Sequence, residues 1–153
     1  MFKIDIIAVG KNKKGPWHDL QQDYAARLRW PVQVIEVESK YTDQKNQQEH
    51  EQRLIIDKID PHSFVIVLDE RGDGLRSLDF SDTLRKIRDT GEEKLTFLIG
   101  GADGFTDEIR SKANMLLSFG QQTWPHMMVR VMMLEQIYRA QQIMAGHPYH
   151  REG

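Results

Sequence analysis

The stretch LTFLIGGADG, residues 95–104, carries the strongest signal for the fold of this chain. Its first half is an apolar run as long as a buried strand, and the run leads directly into Gly100 and Gly101. Because glycine has no side chain, a ligand can approach the backbone closely there, although a tight strand-to-helix turn explains the glycines equally well. The apolar run MLLSF, residues 115–119, leads into Gly120 in the same way. This repetition favours a ligand site at the ends of two neighbouring strands.

Further apolar runs, with helical patterns between them, extend this arrangement over the chain. The predicted strands cover residues 2–9, 32–37, 64–68, 95–99 and 115–119. The predicted helices, whose apolar residues recur every three or four positions, cover residues 17–28, 54–59, 80–87 and 127–144. The alternation predicts one α/β domain, residues 1–153, with a parallel sheet and with ligands at the carboxyl ends of its strands.

The segments between these elements give further local predictions. Thr106 is expected to cap a short helix, and Gly91 is placed to end the helix over 80–87 in the left-handed conformation. Residues 39–53 contain one apolar side chain, so they form either a mobile polar loop or the start of a solvated helix. Residues 70–74, ERGDG, are predicted to be a loop.

The composition limits the classes of protein that the chain can belong to. It has no cysteine, which excludes disulfides and thiolate metal sites. No apolar run approaches the roughly 20 residues that span a bilayer, and the charges of Lys3 and Asp5 in the first strand argue against a signal peptide. We therefore expect a cytoplasmic protein. The net charge of -2 argues against binding of nucleic acid by bulk electrostatics, so any RNA contact requires local positive charge.

Three patterns that suggest other sites fail on inspection. GKNKKG, residues 10–15, has the glycine spacing of a P-loop, but Pro16 and Trp17 stand where lysine and a hydroxyl residue are needed. No strand is followed by the GxGxxG pattern of dinucleotide-binding domains. His147 and His150 are not predicted to bind a metal, because a proline separates them and the chain offers no obvious third ligand.

The last helix and the basic residues suggest partners. Five methionines make the helix over 127–144 apolar on more than one face, which indicates a homodimer surface. Arg130 has no acidic residue at the matching upstream position of this helix other than solvent-side candidates, which leaves it freer to meet a phosphate. Glu135 and Arg139 lie one turn apart and can simply stabilise the helix. The three lysines within residues 11–14 are more often a solvated loop than an RNA contact.

The second half of the chain also contains an ordered series of short motifs. They are Ile99-Gly100-Gly101, Leu117-Ser118, Thr123, Pro125-His126, Arg130, Leu134-Glu135-Gln136, Tyr138-Arg139-Ala140 and Pro148-Tyr149-His150. This series, with Ala8-Val9-Gly10-Lys11 and the overall length, is similar to the ribosomal RNA large subunit methyltransferase H family, which consists of small bacterial SPOUT methyltransferases. The resemblance covers the chain from end to end. Trp124 and the pair Gln121-Gln122 depart from the usual family pattern.

The resemblance implies a parallel-sheet SPOUT α/β-knot fold with a deep C-terminal trefoil knot, a homodimer and S-adenosylmethionine as the cofactor. The activity it implies is methylation of N3 of a pseudouridine in large-subunit (23S) ribosomal RNA on the assembled ribosome. By the family pattern, the cofactor is bound by Leu68, Gly100, Gly101, Gly120, Gln121, Gln122, Thr123, Trp124 and Pro125. Our candidates for orienting or deprotonating the base are His126, Tyr149 and His150. Our candidates for phosphate contacts are Arg130, Arg139 and Arg151.

Two other functions stay open at this point. One is an enzyme of the same fold that acts on another RNA, such as transfer RNA. The other is a ribosome-associated binding protein that kept the fold and lost methyl transfer. We also expect the tail, residues 146–151, to close over the substrate, because it is rich in polar and aromatic groups where a chain end ordinarily frays.

Overall fold

The computed structural model of the chain describes residues 2–152 and shows five strands and five helices in this part of the chain. The strands are β1 (Lys3–Val9), β2 (Val32–Val37), β3 (Phe64–Gly74), β4 (Lys94–Ile99) and β5 (Met115–Ser118). The helices are α1 (Pro16–Arg27), α2 (Gln44–Lys58), α3 (Ser77–Asp89), α4 (Asp107–Ser111) and α5 (His126–Met144). The strands form one parallel sheet in the order β2-β1-β4-β3-β5, which confirms the predicted α/β fold.

The side chains of the central strands alternate between two cores. Ile4 and Ile6 of β1 pack into the core beneath α3 and α5, whereas Ile7 packs on the opposite face. That opposite core contains Ile55 of α2 and Ile109 of α4. This period of two is the geometry of a strand buried on both faces, and it explains why the predicted strands contain so few polar residues.

Two local predictions about the ends of helices are confirmed. Gly91 follows α3 with φ +99°, the left-handed conformation that ends many helices. The side chain of Thr106 accepts a hydrogen bond from the backbone N–H of Ile109 and caps α4. Residues 39–53 belong largely to α2, so this segment is the start of a solvated helix and not a mobile loop. Its first turn is capped by Asp43, whose carboxylate accepts from the backbone N–H of Asn46.

The prediction of a loop over residues 70–74 is wrong, because β3 continues through Gly74. After Leu68 the chain leaves the register of the sheet, and Asp73 and Gly74 then pair again with β5. The polar composition of ERGDG hid this pairing, because β5 is an edge strand and side chains of this part of β3 stay largely exposed.

Gly72 lies directly against the backbone of β5. A Cβ atom at this position would stand 2.6 Å from backbone atoms of Leu116 and Leu117. Because neither backbone can move without breaking the pairing of β3 with β5, only glycine fits here. This contact therefore allows β3 to lie directly against the backbone of β5.

We predict that Gly72→Ala lowers the free energy of unfolding by about 3 kcal/mol, because the added methyl group overpacks a backbone-to-backbone contact. Urea unfolding followed by circular dichroism measures this change. Gly74→Ala is the matched control, since a Cβ atom at Gly74 would meet nothing within 4 Å. Equal free energies of unfolding for the two variants would contradict the claim that only glycine fits at position 72.

Candidate active site

A cavity of about 360 Å³ lies where the ends of β4 and β5 meet the bend of β3. Three segments surround it: the irregular part of β3 after Leu68, residues 100–105 and residues 118–124. The first turn of α5 completes the wall with His126 and Val129. The cavity therefore lies at the carboxyl ends of β4 and β5, the edge where a parallel sheet binds ligands. These two strands were expected to be neighbours, but β3 lies between them.

Most of the predicted cofactor residues line this one cavity. Those present in its wall are Leu68, Gly100, Gly101, Gly120, Gln122, Thr123 and Trp124. Gln121 is exposed and Pro125 precedes α5, and neither lines the cavity. The structure thus brings together residues from three segments that are up to 56 positions apart, from Leu68 to Trp124. Their role toward a cofactor stays a prediction.

The two glycines after β4 are packed so tightly that an added side chain would require their neighbours to shift. A Cβ atom on Gly100 would stand 3.3 Å from the ring of Phe105, and one on Gly101 would stand 3.0 Å from Cγ1 of Val9. Both glycines also line the cavity. A ligand here can therefore approach main-chain N–H and C=O groups directly.

The charges around the cavity are mainly negative. Asp69, Glu70 and Asp103 contribute carboxylates, and Arg110 is the one arginine or lysine among the lining residues of this described cavity. Asp69 is almost fully buried and accepts a hydrogen bond of 2.8 Å from Nε of Arg110. This hydrogen bond with Asp69 raises the pKa of Arg110 above its ordinary value. The excess of carboxylates suits a cationic ligand.

Sequence reasoning missed Asp69 and Arg110. Asp69 directly follows the apolar run of β3, so a polar residue at a strand end is the signal that could have found it. Arg110 lies 41 positions further on, within α4, and no local pattern connects it with Asp69. Only the fold brings the two together.

The three candidate catalytic residues do not meet within one chain. His126 lines the cavity, whereas Tyr149 and His150 lie beside the middle of α5. Arg139, which contacts His150, follows His126 by thirteen residues on the same helix, a distance of about 20 Å along its axis. The tail of a single chain therefore packs away from the cavity.

We call Glu135, Arg139, Tyr149 and His150 the tail cluster. Glu135 Oε1 accepts hydrogen bonds from Arg139 at 2.6 and 2.9 Å and from the Tyr149 hydroxyl at 3.1 Å. Nη1 of Arg139 lies 3.0 Å from Nδ1 of His150. Its guanidinium also lies over the Tyr149 ring, 4.8 Å from the centroid. The predicted pairing of Glu135 with Arg139 is confirmed, and Arg139 is part of this network.

The tail cluster also defines the proton states of its members. Burial, reinforced by contacts with Tyr24 and Glu135, raises the pKa of Tyr149 above its ordinary value, so the phenol stays protonated at neutral pH and donates. Because Arg139 can only donate, Nδ1 of His150 accepts, and its Nε2–H faces Glu152 at 2.9 Å. In this arrangement neither Tyr149 nor His150 offers a free base.

The expectation that Arg130 is free for a phosphate is wrong for this chain. Arg130 is 1% exposed, and its Nη1 lies 2.7 Å from the carboxylate of Glu36 on β2. Its Nη2 also donates to the carbonyl oxygens of Val9 and Gly10. The sequence analysis considered only acidic residues of the same helix, whereas Glu36, the partner of Arg130, lies on β2. Arg151 is exposed, in agreement with a surface role.

We predict that Glu36→Ala lowers the free energy of unfolding by about 2 kcal/mol or more, because it leaves a buried guanidinium without its carboxylate. Urea unfolding measures the loss. Asp23→Ala is the control. It removes the exposed pair of Asp23 with Arg27, which should cost less than about 1 kcal/mol. A Glu36→Ala variant as stable as this control would refute the structural role of the buried pair.

Two further features of residues 2–152 bear on function. No helix in this range has the length and apolar character needed to cross a membrane. Within the same range, no group of three or more histidine, aspartate or glutamate side chains is placed to hold a metal ion.

Comparison with known proteins gives the class. Residues 2–150 match the family model described as predicted SPOUT methyltransferase. A probable methylase family protein from Haemophilus influenzae has a similar fold, with a TM-score of 0.61 at 13% identity over 99% of this chain and 71% of that one. A probable methyltransferase from Bordetella pertussis gives 0.60 at 10% identity, over 91% and 96% of the two chains. The fold is that of the SPOUT methyltransferases.

Closer relatives identify the family. The ribosomal RNA large subunit methyltransferases H of Rhodospirillum centenum and Paramagnetospirillum magneticum are each 46% identical over 98% of this chain and 99% of their own length. That of Zymomonas mobilis is 38% identical over 99% of this chain and all of its own. The chain belongs to the ribosomal RNA large subunit methyltransferase H family.

Proposed function

We propose that the protein transfers a methyl group from S-adenosylmethionine to N3 of a pseudouridine in large-subunit ribosomal RNA on the assembled ribosome, in the cytoplasm. The observation that carries this proposal is the cavity, whose wall joins backbone after β4 and β5 with an acidic rim. Family membership supports the choice of reaction and substrate. The pseudouridine and the assembled ribosome are the finer parts of the proposal.

The residues of the cavity fit S-adenosylmethionine. Gly100, Gly101 and Gly120 present backbone for an adenine and ribose, while the exposed carboxylates of Glu70 and Asp103 favour a positive charge. Bound there, the cofactor supplies an activated methyl group on a sulfonium. The protein then has to position the acceptor nitrogen and remove its imide proton, and positioning gives most of the acceleration.

Of the three catalytic candidates, His126 is the best placed to accept that proton. It lines the cavity, and its Nε2 lies beside Gly10 at the wall. Tyr149 is a donor and His150 is already bonded, so these two residues orient the base. A positioned general base of this kind increases a rate by roughly 10²-fold or more.

We propose that the chain is a homodimer and that the tail of one subunit completes the cavity of its partner. In this arrangement, His126 of one subunit and the tail cluster of its partner would lie at the same cavity. It is supported by α1, which has no buried residue and exposes Trp17 and Leu20. A second cavity of about 560 Å³, lined largely by apolar groups of α1, α5 and the end of β5, lies beside these residues. A partner subunit would cover this surface.

We further propose that the chain forms the deep C-terminal trefoil knot of SPOUT proteins. The contact of Gly72 with the backbone of β5 supports this, since it shows how closely β3 wraps the strand that leads into the last helix. A cavity walled by loops from three strands also agrees with a knotted cofactor site.

We predict methyl transfer from labelled S-adenosylmethionine to ribosomes that lack the modification, with little transfer to free large subunits or transfer RNA. Mass spectrometry of the digested RNA should find the label on N3 of a pseudouridine. Methylation mainly of transfer RNA would favour the alternative of an enzyme of the same fold that acts on another RNA. Binding to ribosomes without methylation would favour the alternative of a ribosome-associated binding protein that lost methyl transfer.

Purified heterodimers test the composite site. We predict that homodimers of His126→Ala, and of Tyr149→Ala with His150→Ala, have little activity. A heterodimer with one subunit of each kind should recover about half of the wild-type activity, because one of its two composite sites is intact. Co-expression with two different tags provides this species. A heterodimer as inactive as both parents would place the whole site in one chain.

A further inference from the structure

We infer that the lysine loop, residues 10–15 (GKNKKG), is a binding site for RNA phosphates beside the cavity. The inference rests on the proposed function, because it takes RNA as the substrate, and it adds a site outside the candidate phosphate residues Arg139 and Arg151. It is carried by three observations: the loop is anchored by buried polar groups, its exposed side chains are lysines, and it adjoins the wall of the cavity.

The first observation is the anchor at the centre of the loop. Asn12 is 8% exposed, and its backbone N–H donates to the carboxylate of Glu36 at 2.7 Å. The side-chain amide of Asn12 donates to Gln21 of α1 at 2.8 Å. The loop is thus tied to a strand on one side and to a helix on the other, so its path is fixed.

Glu36 connects the loop to the buried guanidinium of Arg130. The same carboxylate oxygen of Glu36 that accepts from Asn12 also pairs with Arg130. Arg130 donates in turn to the carbonyl oxygens of Val9 and Gly10, where the loop begins. An ion pair with a buried guanidinium is a weak means of gaining stability, because desolvation of Arg130 offsets its attraction to Glu36. A network of this kind is better explained by the conformation that it imposes on the loop.

The second observation is the charge that this conformation displays. Lys11, Lys13 and Lys14 flank the buried Asn12 and are exposed. The loop contains no acidic residue, and none of the three lysines has an ion-pair partner in the part of the chain that the structure describes. In a chain of net charge -2, this is the local positive charge that binding to RNA requires.

The third observation is location. A Cβ atom on Gly10 would stand 3.9 Å from Nε2 of His126, which lines the cavity. Val9 in turn packs against Gly101. The loop therefore begins at the wall of the proposed active site, where the phosphates that flank a target nucleotide must pass. A solvated loop without a ligand needs neither this position nor the buried anchor.

The test compares two triple variants that remove the same charge. One carries Lys11→Ala, Lys13→Ala and Lys14→Ala. The control carries Lys45→Ala, Lys58→Ala and Lys112→Ala, which remove exposed lysines of α2 and the end of α4. Affinity for ribosomes is measured by sedimentation at several salt concentrations, and affinity for S-adenosylmethionine by calorimetry. Methyl transfer gives KM and kcat.

For the loop variant we expect ribosome affinity roughly tenfold weaker, and a salt dependence reduced by about one unit of slope per lost phosphate contact. Cofactor affinity should be unchanged, and the control should behave like the wild type. Asn12→Ala should weaken ribosome binding by a smaller factor, because the charges remain while the anchor is lost. A loop variant that matches the control in affinity and slope would overturn the inference. Failure of the wild type to methylate would instead overturn the proposed function, since binding is measured separately.

Discussion

Close packing of backbone against its surroundings at the ends of β3, β4 and β5 is the constraint on which this structure depends. Gly72 brings β3 onto the backbone of β5, and Gly100 and Gly101 bring the next loop onto Phe105 and Val9. A side chain is excluded at Gly72, and at Gly100 and Gly101 one would fit only if Phe105 or Val9 shifted by a few tenths of an ångström. The space that remains between the loops is a cavity whose walls are partly main chain, so that a ligand can be recognised by N–H and C=O groups that no side chain covers.

The same region is joined to the rest of the molecule by charges that the fold buries. Asp69 and Arg110 fix one wall of the cavity, and Arg130 with Glu36 ties the start of α5 to β1 and β2. Both pairs link segments that are far apart in sequence. The second pair holds the start of α5, with His126, near the cavity, while the tail cluster packs beside the middle of the same helix. That separation is the reason for the proposal that a partner subunit supplies the tail.

Much of the architecture was predictable because apolar strands and capped helices are local signals. The runs that became β1, β2, β4 and β5, and the left-handed Gly91, were found in this way. The extension of β3 through Gly74 was not, because its pairing depends on a distant strand. Arg130 shows the same limit: its acidic partner lies 94 positions away. The loops of the cavity were found through motifs, whereas the contact of Asp69 with Arg110 had to come from the fold.

The central claim is that backbone around Gly101 binds S-adenosylmethionine, and calorimetric titration of the purified protein with this compound tests it most directly. The account predicts saturable binding by the wild type. It predicts affinity weaker by roughly tenfold, or about 1.4 kcal/mol, for Gly101→Ala, whose methyl group forces the loop away from Val9. Gly74→Ala should bind like the wild type. Absence of binding by the wild type, or equal binding by all three proteins, would contradict the account.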